Sequence, residues 1–321
     1  MSVSHAEPRN RTAFDYALPF ERRIAELHAR LAGVSAPAEK NRLLRELDRE
    51  QKKAHANLTA WQRVQLARHP LRPRMLDYVK RLFEDFVELH GDRLSGDDPA
   101  MVGGIARFNG RSLVVVGQQK GSSTDERITR NYGMSHPEGY RKALRLFEMA
   151  ERLKLPVVSF VDTPAAHPGI EAERGGQGPA IARNLLELMG IRTSVFCVVL
   201  GEGGSGGALA IAIGDRIAMF ESAIYVVCPP ERCAEILWRD VDKKELAASV
   251  MRVTANDLLD LGVIDVVLPE PGGGAHWNPD GAAEVLAKEL ELFLRASDEG
   301  KWSPELRRER FRRMGVWKEV E

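Results

Sequence analysis

Five short runs rich in β-branched residues constrain the fold of this chain more than any other feature. They lie at 112–116, 157–161, 194–200, 223–228 and 263–268, and turn-forming residues separate them. Their apolar character is nearly continuous instead of alternating with polar residues. A strand of that kind is buried on both faces and must be covered by helices. Helical periodicity appears between them, at 140–153, 179–189 and 206–213. The alternation predicts an α/β chain of β/α units around a largely parallel sheet. Residues 75–89 read as one amphipathic helix, with Leu76, Val79, Phe83 and Phe86 on one face, and 280–294 as another.

The chain before the sheet reads differently. Residues 1–18 look polar and loosely ordered, and helical spacing then runs over 19–58. Ile24, Leu27 and Leu31 mark a first stripe, and Leu43, Leu47, Ala54 and Leu58 a second. Gly33-Val34-Ser35-Ala36-Pro37 breaks them into a helical hairpin, whose narrow stripe needs a partner surface in this chain or another. The expected division is an arm at 1–59, a main domain at 60–296, and a charged, solvated helix or tail at 297–321.

Composition excludes several classes. Lys+Arg and Asp+Glu are 46 each, which argues against a net basic surface for nucleic acid. Cys197, Cys228 and Cys233 form no C-x-x-C pair, so neither a disulfide framework nor a four-cysteine metal site is expected. The longest apolar stretches are too short to span a membrane, and the start shows no apolar leader. A cytoplasmic protein is the expectation.

The segment Gly201-Glu202-Gly203-Gly204-Ser205-Gly206-Gly207-Ala208 follows a buried run and opens a helical one. Glycines admit close backbone approach, and a helix start offers unpaired N–H groups to a negative charge. Three readings fit. Gly201-x-Gly203-x-x-Gly206 has the form of a dinucleotide fingerprint, with Glu221 as a loosely placed acidic partner. Gly203-x-Ser205-x-Gly207 has the form of a nucleophile elbow, with Asp260 or Asp265 and His276 following. The third is an oxyanion hole without a nucleophile, made by the Gly206 and Gly207 amides. A second loop, Asp162-Thr163-Pro164-Ala165-Ala166-His167, follows the 157–161 run, where α/β sheets place ligands. His167 is a candidate acid/base there, and Asp162 a turn former. A third loop carries Lys120, a candidate for binding a carboxylate or phosphate.

At these residues the sequence resembles the alpha subunits of bacterial acetyl-coenzyme A carboxylase carboxyltransferases. The matching stretches include Ala60-Trp-Gln-Arg-Val-Gln-Leu-Ala-Arg-His-Pro70, Gly117-Gln-Gln-Lys-Gly121, Pro137-Glu-Gly-Tyr-Arg141, Asp162-Thr-Pro164, Ala180-Ile-Ala-Arg-Asn-Leu185 and 201–211. The resemblance implies a crotonase-like superhelix of ββα units with an N-terminal helical hairpin for subunit assembly. It implies an alpha2beta2 enzyme whose beta subunit bears a zinc ribbon and binds most of the acetyl-CoA. Carboxybiotin would arrive on a biotin carboxyl carrier protein, charged by a separate biotin carboxylase, and the product would be malonyl-CoA for fatty acid synthesis. No cofactor would be covalently bound, and no metal held, by this chain. Gly206 and Gly207 would form the oxyanion hole for the biotin ureido oxygen. Gly203, Gly204, Ser205, Asp162, Pro164, Ala165, Ala166 and His167 would line the carboxybiotin pocket, with Lys120 and Arg141 as candidate carboxylate ligands. The chain departs from the family's usual residues at Ala165, His167, Arg174, Gly175, Pro229 and Arg232. Those departures keep open a paralogue acting on another acyl-CoA or an inactive one. The serine hydrolase, and a stand-alone crotonase-type hydratase using Glu202 or Glu171, stay open beside it.

Overall fold

The computed structural model describes residues 13–315 and holds one eight-stranded sheet. The strands are β1 Glu84–Glu88, β2 Met101–Phe108, β3 Arg111–Gln118, β4 Val157–Thr163, β5 Val195–Gly204, β6 Arg216–Phe220, β7 Ile224–Val226 and β8 Val266–Leu268. Their order is β1-β2-β3-β4-β5-β6-β8, with β7 paired to the end of β5. Neighbours from β3 onward are parallel, whereas β1–β2 and β2–β3 are antiparallel. The largely parallel sheet expected from the sequence therefore carries an antiparallel edge. The expectations for 1–12 and 316–321 lie outside the described residues.

Three strands were not expected, and each has a local reason. The helix read at 75–89 is two elements, a helix Met75–Leu82 and then β1. Phe83 turns extended (φ −116°, ψ 145°) between them, so its ring and that of Phe86 mimicked a helical stripe. β2 was hidden by paired glycines. A Cβ at Gly104 would lie 2.0 Å from Val87 O, so β1 can pair this closely only with glycine there. β6 begins only two residues after the apolar run at 208–213, across Gly214 and Asp215, and its five residues are too few to stand out as a separate run.

β4 and β5 are buried at every position, as continuous apolar runs require. Phe196 of β5 stacks on Phe293 of the helix Pro279–Asp298, with ring centroids 5.1 Å apart. Burying a side chain of that size contributes roughly 1.5–3 kcal/mol. The charged C-terminal stretch does form a helix, Pro304–Arg312, but the fully solvated reading is corrected. Arg307 is 1% exposed and pairs with Asp215 at 2.6 Å. It also donates to Leu188 O, Ile191 O and Thr193 O. A buried guanidinium persists only when so fully paired, and here it ties the terminal helix to the start of β5. No helix among the described residues is long and apolar enough to cross a membrane.

The arm is the helical pair Arg22–Ala32 and Pro37–His55. Ile24, Leu27, Leu43 and Leu47 close on one another, with Trp277 packed against them. The stripe thus finds its partner within this chain. Buried Glu21 accepts a hydrogen bond from Trp277 Nε1 and pairs with His276 Nε2, both at 2.9 Å. His69 lies against the His276 ring, centroids 4.0 Å apart. Its Nδ1 accepts from Leu71 N–H, so Nε2 keeps the proton and donates to Tyr16 O. Burial, then the His276 charge, push His69 down to about 4. The fold therefore holds His69 neutral, and its contribution is present above about pH 6.5 and lost as pH falls toward 4. That loss amounts to about 3 kcal/mol. Burial lowers His28 in the same direction; burial also opposes the charge on His55, but Glu21 and Gln51 O outweigh it and raise His55, which favours the fold on the acid side and opposes the loss. Denaturation midpoints measured between pH 7 and 4.5 should fall, and less steeply in His69→Gln.

Candidate active site at the glycine turn

β5 stays buried to Gly204, and the helix Ser205–Leu209 starts at the next residue. Ser205 is exposed and takes φ +51°, a left-handed conformation that costs an L residue roughly 1–2 kcal/mol. The loop that follows β4 presses against this turn. A Cβ at Gly204 would lie 1.9 Å from Pro164 O, and one at Gly207 would lie 2.4 Å from Ala166 N. The chain's own packing therefore demands glycine at both. Gly206 differs, because a Cβ there would meet nothing nearer than Ile181 at 3.8 Å. Its open side is space that the protein does not fill. The first amides of a helix lack an intrahelical acceptor, and the Gly206 and Gly207 N–H groups have none among the described residues. Beside Ser205 and Gly206 opens a cleft of about 330 Å³, with Leu209, Tyr225, Val227 and Leu258 on its walls.

Gln118, at the end of β3 and fully buried, fixes the two loops relative to each other. Its Nε2 donates to Gly207 O at 2.9 Å, and its Oε1 accepts from Asp162 N–H at 3.1 Å. Sequence reasoning gave Gln118 no role, although the Gly-Gln-Gln-Lys-Gly stretch at the end of an apolar run was the available signal. Asp162 is buried behind the turn, where its Oδ1 accepts from Glu202 N–H. Lys120 Nζ meets Asp162 at 2.8 Å and Glu202 at 2.7 Å, so its charge is taken up by carboxylates of this chain. Arg68 completes the group, 2.7 Å from Glu202 and 2.5 Å from Glu231. Burial alone would raise Glu202, but Lys120 and Arg68 hold it at about 2.

His167 is partly buried and does have partners. The Asn131 amide donates to its Nδ1 at 2.8 Å, which leaves the ring proton on Nε2. Burial, then the nearby His136 charge, lower its pKa, so the ring is neutral at neutral pH. Ala165 N–H turns back to Thr163 Oγ1. The structure thus brings together Gly203, Gly204, Ser205, Gly206 and Gly207 with the loop from Asp162 to His167. Arg141 is not among them, since its hydrogen bonds go to Asp92, Ser95, Glu138 and Gly175.

The serine hydrolase reading and the Glu202 hydratase reading lose their chemistry here. His276 is committed to Glu21, Asp265 to Ile217 N–H and Arg310, and Asp260 lies beside Arg252. None of the three bonds to Ser205. Glu202 is ionised and doubly paired, which leaves it no proton to give as a hydratase acid at neutral pH. Arg232 is exposed and pairs with Glu235, and Arg174 and Gly175 are exposed as well.

The mixed sheet, with parallel central strands that end in the glycine turn, is a fold shared with carboxyltransferases of known structure. Among solved structures, the chain is similar to transcarboxylase 12S, described with methylmalonyl-coenzyme A and methylmalonic acid bound. The TM-score is 0.56 at 22% identity, over 68% of this chain and 41% of that one. The profile of the acetyl co-enzyme A carboxylase carboxyltransferase-like family matches residues 17–315, and the chain belongs to that family. It is 49% identical to the acetyl-coenzyme A carboxylase carboxyl transferase subunit alpha of Cyanothece sp., over 94% of this chain and 96% of that protein. It is 50% identical to a subunit of the same name from Thermus thermophilus, over 94% and 97%.

Proposed function

We propose that this chain is the carboxybiotin-facing alpha subunit of an acetyl-CoA carboxyltransferase and works only with a beta subunit. Family membership supports the reaction class, and the relatives' name supports a two-subunit enzyme. The one observation that carries the site is the pair of Gly206 and Gly207 amides, without acceptors among the described residues, at a turn whose Ser205 and Gly206 line the open cleft. Carboxybiotin, delivered by a carrier protein and charged by a separate carboxylase, supplies the carboxyl group and a base for the acetyl methyl proton. The chain's own residues do the rest by position and charge. The Gly206 and Gly207 N–H groups donate to the ureido oxygen as negative charge develops there. They are preorganised, so no reorientation is needed at the moment of reaction. The loop from Pro164 to His167 packs against Gly204 and Gly207 and so sets the position of the turn, while Ser205 and Gly206 form one wall of the cleft and Leu209 and Tyr225 exclude water from the other. Neutral His167 contributes shape and an Nε2–H donor. The arm at 1–59 serves assembly, acetyl-CoA sits mainly on the partner, and the complex is alpha2beta2 in the cytoplasm.

The test is malonyl-CoA-dependent carboxylation of biocytin by the co-expressed alpha and beta chains. This reverse half-reaction needs no ATP. Activity that requires both chains supports the reading. A stable complex inactive with malonyl-CoA but active with methylmalonyl-CoA would transfer the assignment to another acyl-CoA. A complex inactive with both would end it.

A further inference from the structure

A second pocket, of about 170 Å³, lies next to the glycine turn, and its cations have no part in the chemistry above. Its walls include Arg68, Arg74, Lys120 and Arg127, with Tyr132 and Glu202. The charges do not balance within it. Lys120 and Arg68 have close carboxylate partners in Asp162, Glu202 and Glu231. The remaining two cations do not. Arg74 is 4% exposed, reaches Asp162 only at 3.5 Å, and keeps its Nε buried without a partner. Arg127 has no carboxylate partner among the described residues. Its guanidinium reaches only Gly121 O and Pro70 O, both at 3.4 Å, at the limit of a hydrogen bond. Buried charged donors are rarely left without acceptors, so an acceptor from outside the chain fits here.

Two further features point the same way. The turn Asn131-Tyr132-Gly133 has three successive positive φ values, 45°, 54° and 80°. It is held against the pocket floor, since a Cβ at Gly133 would lie 2.9 Å from Lys120 Cγ. Strain of this kind persists where the surroundings over-determine it, often at ligand clamps. The pocket also shares Pro164 with the loop that borders the glycine turn, and Glu202 is next in the chain to Gly203.

We propose that this pocket is an oxyanion subsite, in which Arg74 and Arg127 hold one carboxylate or one phosphate group. Planar guanidinium forks match both groups by paired N–H donation. The volume suits a single such group and not a nucleotide. Lys120 is then an internal counter-ion that fixes Asp162 and Glu202, and the ligand contact passes to Arg127. The subsite stands on its own geometry. Assigning its anion to the transfer substrate rests on the proposed function. Two sources are compatible, the carboxylate being transferred and a phosphate of the coenzyme.

The experiment uses the assembled alpha–beta complex and the partly exposed Arg127. Malonate and inorganic phosphate are titrated calorimetrically into wild type, Arg127→Gln and Arg127→Lys. At least one anion should bind wild type, with affinity about 10- to 100-fold weaker in Arg127→Gln. Arg127→Lys should recover only part, because it restores the charge without the fork. Arg74→Lys, which keeps the buried charge, gives a second variant should Arg127→Gln fail to assemble. No binding to wild type, or equal binding by all variants, overturns the subsite. KM then separates the sources. A rise for malonyl-CoA alone assigns the transferred carboxylate, and equal rises for malonyl-CoA and acetyl-CoA assign a coenzyme phosphate. Unchanged KM for both overturns the substrate assignment. A wild-type complex without transferase activity would sink the functional reading and leave the titration to decide the subsite.

Discussion

Gly207→Ala should lower carboxyl transfer by about 10²–10³-fold while the alpha–beta complex still assembles. The added methyl would lie 2.4 Å from Ala166 N and 2.7 Å from Ala165 C, both backbone atoms that cannot swing aside. Either the loop from Asp162 to His167 moves outward or the helix start does. Both motions break the alignment of the Gly206 and Gly207 amides with the loop wall, and misplacement of about 1 Å is enough to cost 10²-fold. Gly206→Ala is the informative contrast. Its methyl enters open space, so stability should be nearly unchanged, yet activity should still fall if an external group occupies that space. The measurement is kcat and KM in the biocytin reaction, beside thermal denaturation of each variant. A fully active Gly207→Ala complex would remove the two loops from the site. Loss of activity in Gly207→Ala with full activity in Gly206→Ala would mean that the open side of Gly206 faces nothing that matters.

The second large effect concerns stability. Arg72→Met should destabilise the fold by about 3–5 kcal/mol, because it leaves Glu270 buried and unpaired. Arg72 is 2% exposed, and its Nη1 and Nη2 donate to both Glu270 oxygens at 2.9 and 2.6 Å. Its Nε donates to Leu200 O at 2.7 Å, immediately before the glycine turn. Glu270 accepts in addition from the Ser222 and Ala275 N–H groups. Burial alone would raise Glu270, but the Arg72 charge holds its carboxyl below the usual range. Adding Glu270→Gln should recover part of the loss, since the stranded charge is gone while the amide oxygen still accepts from one of the two backbone donors. Urea denaturation of the single and double variants checks this. Equal stability of Arg72→Met and wild type would mean that Glu270 finds water or another cation, and that the end of β5 does not depend on this pair.

The first of these sites shows where sequence reading succeeds. Gly204 and Gly207 were legible as glycines that do backbone work, because an ordinary surface turn does not need so many glycines directly after a buried run. β3, β4 and β5 were legible because continuous valine runs admit only a strand buried on both faces. The arm was legible from its three-and-four spacing. The motifs shared with the alpha subunits were legible as a family, and the family carried the reaction class. The readings that failed did so because the deciding contact is remote in sequence. β2 is a strand because Gly104 meets Val87 O across a ladder, and its own composition is too poor in β-branched residues to say so. The tail at 297–321 is charged like a solvated surface, yet Arg307 meets Asp215 and three carbonyls far from it in sequence.

The charged residues divide in the same way. Lys120 and Arg141 stood out as cations near motifs, and sequence cannot say which carboxylates of the chain will already have claimed them. Only the fold brings Asp162 and Glu202 to Lys120 and leaves Arg127 without a carboxylate among the described residues. The sequence by itself determined the sheet-forming runs, the glycine turn and the family, because those follow from local sterics, burial and residue order. The tertiary structure decided which glycine is packed shut and which stays open, and which cation is spent and which is spare. Those are properties of pairs of groups separated by tens to hundreds of residues, and their energies exist only once the chain has brought the two together.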